Sequence, residues 1–135
     1  MAKVQKFTHA AMCSQKCHVR REHKNPSNQD IDPKRTPLNY SFPMHHNGLD
    51  SFNYYKELIG EKYLYGRGTQ REKEAITGCG WVVTLPQEIY GNSDKEKEFF
   101  SAVYDFVSNR YGKENIITNA VHYDEAGLPH IHIVF

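Results

Sequence analysis

The segment His122-Tyr123-Asp124-Glu125-Ala126-Gly127-Leu128-Pro129-His130-Ile131-His132 gathers three imidazoles and two carboxylates around a Gly/Pro turn. Side chains two apart on a strand share a face, so His130 and His132 point the same way. A turn over Asp124 to Pro129 folds the preceding strand back alongside and brings His122 onto that face. The rings then converge on one point, with a carboxylate at the edge. Neutral imidazole suits Zn, Mn, Fe or Cu, and three protein ligands leave positions open for substrate oxygens. A His-x-His pair alone is commonly a polar strand surface. The third histidine and the neighbouring acids make metal binding the favoured reading.

The chain has 135 residues, enough for one domain with a core. Its mean hydropathy of −0.73 is that of a polar globular protein. No apolar run approaches the roughly 20 residues of a membrane span, and no secretory signal is read at the N-terminus. The odd set Cys13, Cys17 and Cys79 lacks a disulfide framework and fits a reducing cytosol. Cys13-x3-Cys17-His18 lacks the second pair a zinc finger needs.

Net charge is only +1, but it is unevenly spread. Residues 1–40 hold eight Lys/Arg against three Asp/Glu, and residues 41–135 hold nine against thirteen. The basic N-terminal part is a candidate phosphate-facing surface, including Lys34 and Arg35 after Pro33. Arg67 and Arg71 are further candidates, although exposed helix arginines are common.

The pattern predicts a short strand at Val4–Phe7, loop and short helical turns over 9–24, and a strand at Leu38–Phe42. His45 and His46 read as surface residues in a polar loop. Apolar spacings of three and four predict a helix over Ser51–Tyr65, and a second short one over Thr69–Ala75. Gly80–Leu85 reads as a strand stopped by Pro86. Ser93-Asp-Lys-Glu96 reads as a capping box opening a helix with Phe99, Phe100, Val103, Phe106 and Val107 on one face. Strands follow at Asn115–Tyr123 and His130–Phe135. The expected class is α+β, an antiparallel sheet with helices on one face and the histidines lining a cleft. Phe135 lies close behind His132, so the chain is expected to be an N-terminal piece of a longer protein.

The run His122-x-Asp124-Glu125-x3-Pro129-His130-x-His132 resembles the third motif of the MobV (Mob/Pre) family of plasmid mobilisation relaxases, members of the HUH endonucleases. His18-Val-Arg-Arg21 is similar to the family's N-terminal His-x-x-Arg motif. Asn28 to Tyr40 resembles its second block, and Cys79 to Pro86 one of its strands. The resemblance runs from about residue 5 to 135. Gly127 is an extra residue in the hairpin turn relative to the family pattern.

The resemblance implies a single N-terminal relaxase domain, or most of it, over 1–135. It implies nicking of one strand at an origin of transfer, with the enzyme left covalently on the 5′-phosphate. It further implies His18 as nucleophile, Arg21 as the motif's arginine, His122, His130 and His132 as metal ligands, and Glu125 as the acid beside them. Mn2+ or Mg2+ is the implied metal. Origin DNA is the implied partner, with relaxosome or coupling proteins besides, and the bacterial cytoplasm the implied location. In chemical terms, Arg21 has a fork suited to the scissile phosphate, joining Lys34, Arg35 and Arg71 as candidate DNA contacts. A replication initiator or transposase using Tyr104 or Tyr111 is the alternative enzyme. A fragment that binds origin DNA without cutting it is the alternative of another class.

Overall fold

The computed structural model describes residues 1–22, 28–60 and 74–135. In chain order its elements are β1 (Ala2–Thr8), α1 (His9–Arg20), α2 (Ser51–Ile59), β2 (Ile76–Thr84), α3 (Ser93–Tyr111), β3 (Thr118–His122) and β4 (His130–Val134). The strands form one antiparallel sheet in the order β1-β2-β4-β3. No described helix is long and apolar enough to cross a membrane.

The α+β class and the antiparallel sheet are as expected, but the sheet carries helices on both faces. Ile131 and Ile133 of β4 and Val121 of β3 pack with Phe100, Tyr104 and Val107 of α3. On the opposite face, Ala120 and Val134 pack with Met12 and Val19 of α1 and with Tyr54 and Tyr55 of α2. That second layer arises where the sequence suggested loop. Residues 9–20 form a helix, opened by Thr8, whose side chain accepts from the Ala11 amide. Its only buried residues are Met12 and Val19, seven apart, among Cys, Lys, Gln and His. So sparse an apolar stripe gives little periodic signal.

α3 begins one residue earlier than its apparent box implies. Asn92, not Ser93, is the cap, accepting from Lys95 N at 3.1 Å, and Glu96 reaches back to the Gly91 amide at 2.7 Å. Phe106, expected on the buried face, is 54% exposed, whereas Phe100 is fully buried. The difference is rotational: Phe100, Tyr104 and Val107 keep helical steps of four and three, and Phe106 falls beside that stripe.

Residues 38–42 do not form a strand. Thr36–Leu38 is a single 3-10 turn, and only Tyr40 bridges to the sheet, at Val121. Side chains do what a ladder would have done. Asn119 exchanges hydrogen bonds with both backbone groups of Phe42, and Asn39 accepts from the Tyr123 amide at 2.7 Å. His46 is buried rather than on the surface. Its Nε2 lies 2.7 Å from the Ile116 carbonyl, and its ring stacks on Tyr54. α2 ends at Ile59, short of the expected Tyr65, because Gly60 turns out of the helix at φ 73° while its amide returns to the Lys56 carbonyl. The helix expected over Thr69–Ala75 falls mostly outside the described residues, and Glu74 and Ala75, which are described, are not helical.

Asp124 latches these parts together. It is fully buried, and its backbone carbonyl accepts from the Asp32 amide at 2.7 Å. Its carboxylate accepts from Thr36 Oγ1 at 2.9 Å, and from Arg21 Nε and Nη2 at 3.0 and 2.7 Å. Burial by itself would raise its pKa, but the bonds from Arg21 and Thr36 outweigh that and hold it down to about 2.

Two outcomes follow for stability. Phe100→Ala should cost about 3–5 kcal/mol in urea unfolding, while Phe106→Ala should stay within about 0.5 kcal/mol. The Asp124 carboxylate binds a proton more weakly folded than unfolded. Its contribution is therefore complete above the ordinary carboxylate pKa and lost as pH falls toward 2. Asp124→Asn should cost about 2 kcal/mol or more at pH 7. The deficit should be unchanged at pH 5 and should narrow below about pH 3.8.

Candidate metal and nucleic-acid centre

The register of β3 against β4 builds the site. His122 pairs with His130 and Ala120 with His132, so all three imidazoles stand on the α1 face. His18, in the last turn of α1, is brought over them. Its ring meets His122 and His132 edge-on at 5.9 and 5.4 Å between centroids. Glu125, at the start of the β3–β4 turn, completes the group.

One ligand atom from each of His18, His122, Glu125 and His132 lies within 4.8 Å of the others. His130 stands just outside this tightest set, with Nε2 3.1 Å from His132 Nε2 and 3.6 Å from Glu125 Oε2. The three predicted ligands are thus brought together; of the three predicted catalytic residues, His18 and Glu125 join them, and Arg21 bonds to Glu125 at their edge.

The ring orientations suit a cation. His122 Nε2 sits 2.9 Å from the Val19 carbonyl. A carbonyl only accepts, so Nε2 carries the proton and Nδ1 presents its lone pair. That Nδ1 is buried, has no hydrogen-bond partner, and lies 3.4 Å from Glu125 Oε1. The Nδ1 of His132 is likewise buried without a partner. Burial, reinforced by the surrounding imidazoles of His122, His130 and His18, pushes His132 down to about 2, and burial lowers His130 as well. Both rings stay neutral, as a ligand must. Burial alone would raise the Glu125 carboxyl. The His18 ring and the Arg21 guanidinium outweigh it and hold Glu125 ionised far below the usual carboxylate range. The buried, unpartnered ring nitrogens of His122 and His132, with the His130 ring and one anionic oxygen beside them, fit a divalent transition ion such as Mn2+ better than Mg2+, which prefers oxygen ligands.

Arg21 is turned inward. It closes α1 in the left-handed conformation, φ 56° and ψ 40°, where glycine is usual. Its amide returns to the His18 carbonyl and the next amide, of Glu22, to the Cys17 carbonyl. The guanidinium grips Asp124 with two nitrogens, Glu125 Oε1 at 2.5 Å and the His18 carbonyl at 2.8 Å. Four N–H bonds are therefore spent on the protein, and the side chain is 12% exposed. His18 is the open member of the cluster, 32% exposed against none for His122 and 12% for His130.

Lys34 and Arg35 ride on the segment that Asp32 ties to Asp124. Arg71, Arg67 and His23 lie outside the described residues. Tyr104 and Tyr111 are on the α3 side of the sheet: Tyr104 donates to the Pro43 carbonyl, and Tyr111 stacks on Phe135.

Sequence reasoning missed Asp124 as the anchor of Arg21 and the Val19 carbonyl as the partner of His122. Neither has a local signal, since each contact spans 103 residues. It also missed Lys3, Gln5 and Thr84, which alternation along β1 and β2 would have placed on the histidine face.

The profile of the Mob/Pre family, described as plasmid recombination enzyme, matches residues 1–135. Plasmid recombination enzyme type 2 of Staphylococcus aureus is 33% identical over 135 residues, covering 98% of this chain and 31% of that protein. A plasmid recombination enzyme of Bacillus sp. is 32% identical over 118 residues, 86% of this chain and 28% of its own length. The chain therefore spans about a third of the curated relatives it matches. Among solved structures, the MobM relaxase domain bound to pMV158 oriT DNA, in a Mn-bound crystal, superposes with a TM-score of 0.77 at 25% identity, over 99% of this chain and 68% of that one. Match over the whole chain, shared fold and a cluster of imidazoles with one carboxylate agree: the chain belongs to the Mob/Pre family of plasmid recombination enzymes.

Proposed function

We propose that residues 1–135 are the N-terminal relaxase domain, or most of it, of a plasmid mobilisation protein that nicks one DNA strand at an origin of transfer. The observation that carries this reading is the convergence of His18, His122, Glu125 and His132 within 4.8 Å, with His130 beside them. The oriT DNA and Mn of the similar MobM relaxase domain support it.

In this reading His122, His130 and His132 would hold a divalent ion through neutral rings, and Glu125 would face it or orient His18. A divalent ion there would supply charge for the non-bridging and leaving oxygens of the scissile phosphate. His18 is the nucleophile. It is exposed on the cleft side, and a neutral imidazole attacks near neutral pH without the deprotonation tyrosine requires. One N–P bond forms as the P–O3′ bond breaks, leaving the 5′-phosphate on His18 and a free 3′-OH once the leaving oxygen is protonated. Glu125, 3.4 Å from His18 Nε2, steadies the positive charge that builds on the ring. Arg21, with four of its five N–H groups spent on Asp124, Glu125 and the His18 carbonyl, is assigned to positioning Glu125 and His18 rather than to gripping phosphate with both ends of its fork. Lys34, Arg35 and Arg71 are assigned to the DNA backbone.

The tyrosine alternative is disfavoured by the location of Tyr104 and Tyr111 across the sheet from the histidines. A non-cutting DNA-binding fragment makes the same metal site and differs only in outcome.

Labelled single-stranded oligonucleotides tiling the protein's own plasmid should give a covalent adduct with Mn2+. The adduct should vanish in His18→Ala and persist in Tyr104→Phe and Tyr111→Phe. DNA binding without an adduct would leave only the binding reading. Calorimetry should show Mn2+ uptake by wild type and by His18→Ala, but not by His122→Ala/His132→Ala. Arg21→Lys should keep metal uptake and lower the nicking rate by about 10–100-fold.

A further inference from the structure

A cleft of about 320 Å3 opens beside the cluster, with His18 and His132 as its inner wall. Its floor is the α1 face of the sheet. Lys3 pairs with Val82 and Val82 with His132, so the three stand in one row across β1, β2 and β4. Two strand spacings put Lys3 about 10 Å from the histidine. Gln5 lies two residues along β1, and Thr84 two along β2. Gln15 closes the cleft from above, one helical turn before His18.

The polar side chains here are uncommitted. Among the described residues, Lys3, Gln5, Gln15 and Thr84 have no side-chain hydrogen bond or ion pair. By contrast, the side chains of Asp124 and Thr36 and most of the Arg21 guanidinium are spent on the protein. The Lys3 ammonium belongs to the far end of the cleft; beside the histidines stand two amides and a hydroxyl over an apolar Val82 floor, poor equipment for a bare phosphate. They match the edge of a nucleobase, where a glutamine amide meets adjacent donor and acceptor groups. The volume is that of a small-molecule pocket.

We infer that this cleft receives the base of one nucleotide adjoining the scissile phosphate, with Gln5, Gln15 and Thr84 as specificity-determining side chains and Lys3 as a charged anchor at the far end. The inference rests on the nicking function proposed above. Contacts to the DNA backbone position the strand, and this pocket adds sequence choice at one place.

The test uses the full-length protein with Mn2+ and an oligonucleotide that wild type cuts. Each position flanking the nick is replaced in turn by the other three bases. Wild type should discriminate about tenfold or more at one flanking position. Gln5→Ala, Gln15→Ala and Thr84→Val should each flatten that one preference and leave the others standing. Thermal melts matching wild type verify the fold, and three independent variants guard against one that misfolds. Equal loss of rate on every sequence, or wild-type discrimination in all three variants, overturns the pocket while nicking stands. Wild type that cuts no oligonucleotide overturns the nicking function and the pocket with it.

Discussion

Pairing of His122 with His130 decides which face of the sheet carries the imidazoles. The side-chain period of a strand is two, so a slip of one residue would send His130 and His132 into the α3 core and bring Ile131 and Ile133 out. That core holds the register. Ile131 and Ile133 are fully buried against Phe100 and Val107, and the hydrophobic effect penalises any slip that would expose them. The chemistry on one face is thus fixed by the packing on the other.

A second constraint fastens α1 over the strands. Val19 is buried against the sheet, its carbonyl holds His122, and Arg21 reaches Asp124. The N-terminal motif and the hairpin motif are therefore one structural unit, although a hundred residues separate them. The segment around Asp32 and Thr36 joins the same unit through Asp124. Substitutions among Arg21, Thr36 and Asp124 should combine non-additively, as expected of neighbours sharing one network.

The hairpin was legible in the sequence because its information is local. Alternation put His130 and His132 on one face, and the Gly/Pro turn folded His122 back to them. β2 and α3 were legible for the same reason, from β-branched runs and helical steps. What escaped was set by tertiary contact. α1 has too few apolar positions to announce itself, and Tyr40 meets the sheet at a single bridge. His46 looked like a surface residue because its partner, the Ile116 carbonyl, comes from seventy residues away. Arg21 looked like a phosphate clamp because a planar fork suits that task. The buried carboxylate that occupies it sits 103 residues on.

α1 contributes more than its side chains. Its peptide dipoles sum toward the C-terminal turn, where the Cys17, His18 and Val19 carbonyls gather. Such a terminus acts as roughly half a negative charge. Arg21, bonded to the His18 carbonyl, offsets part of this, but Asp124 and Glu125 together outnumber it, so the histidine cluster sits in a field that draws cations. The polarity of the backbone itself thus prepares the place for a positive ion before any nucleic acid arrives.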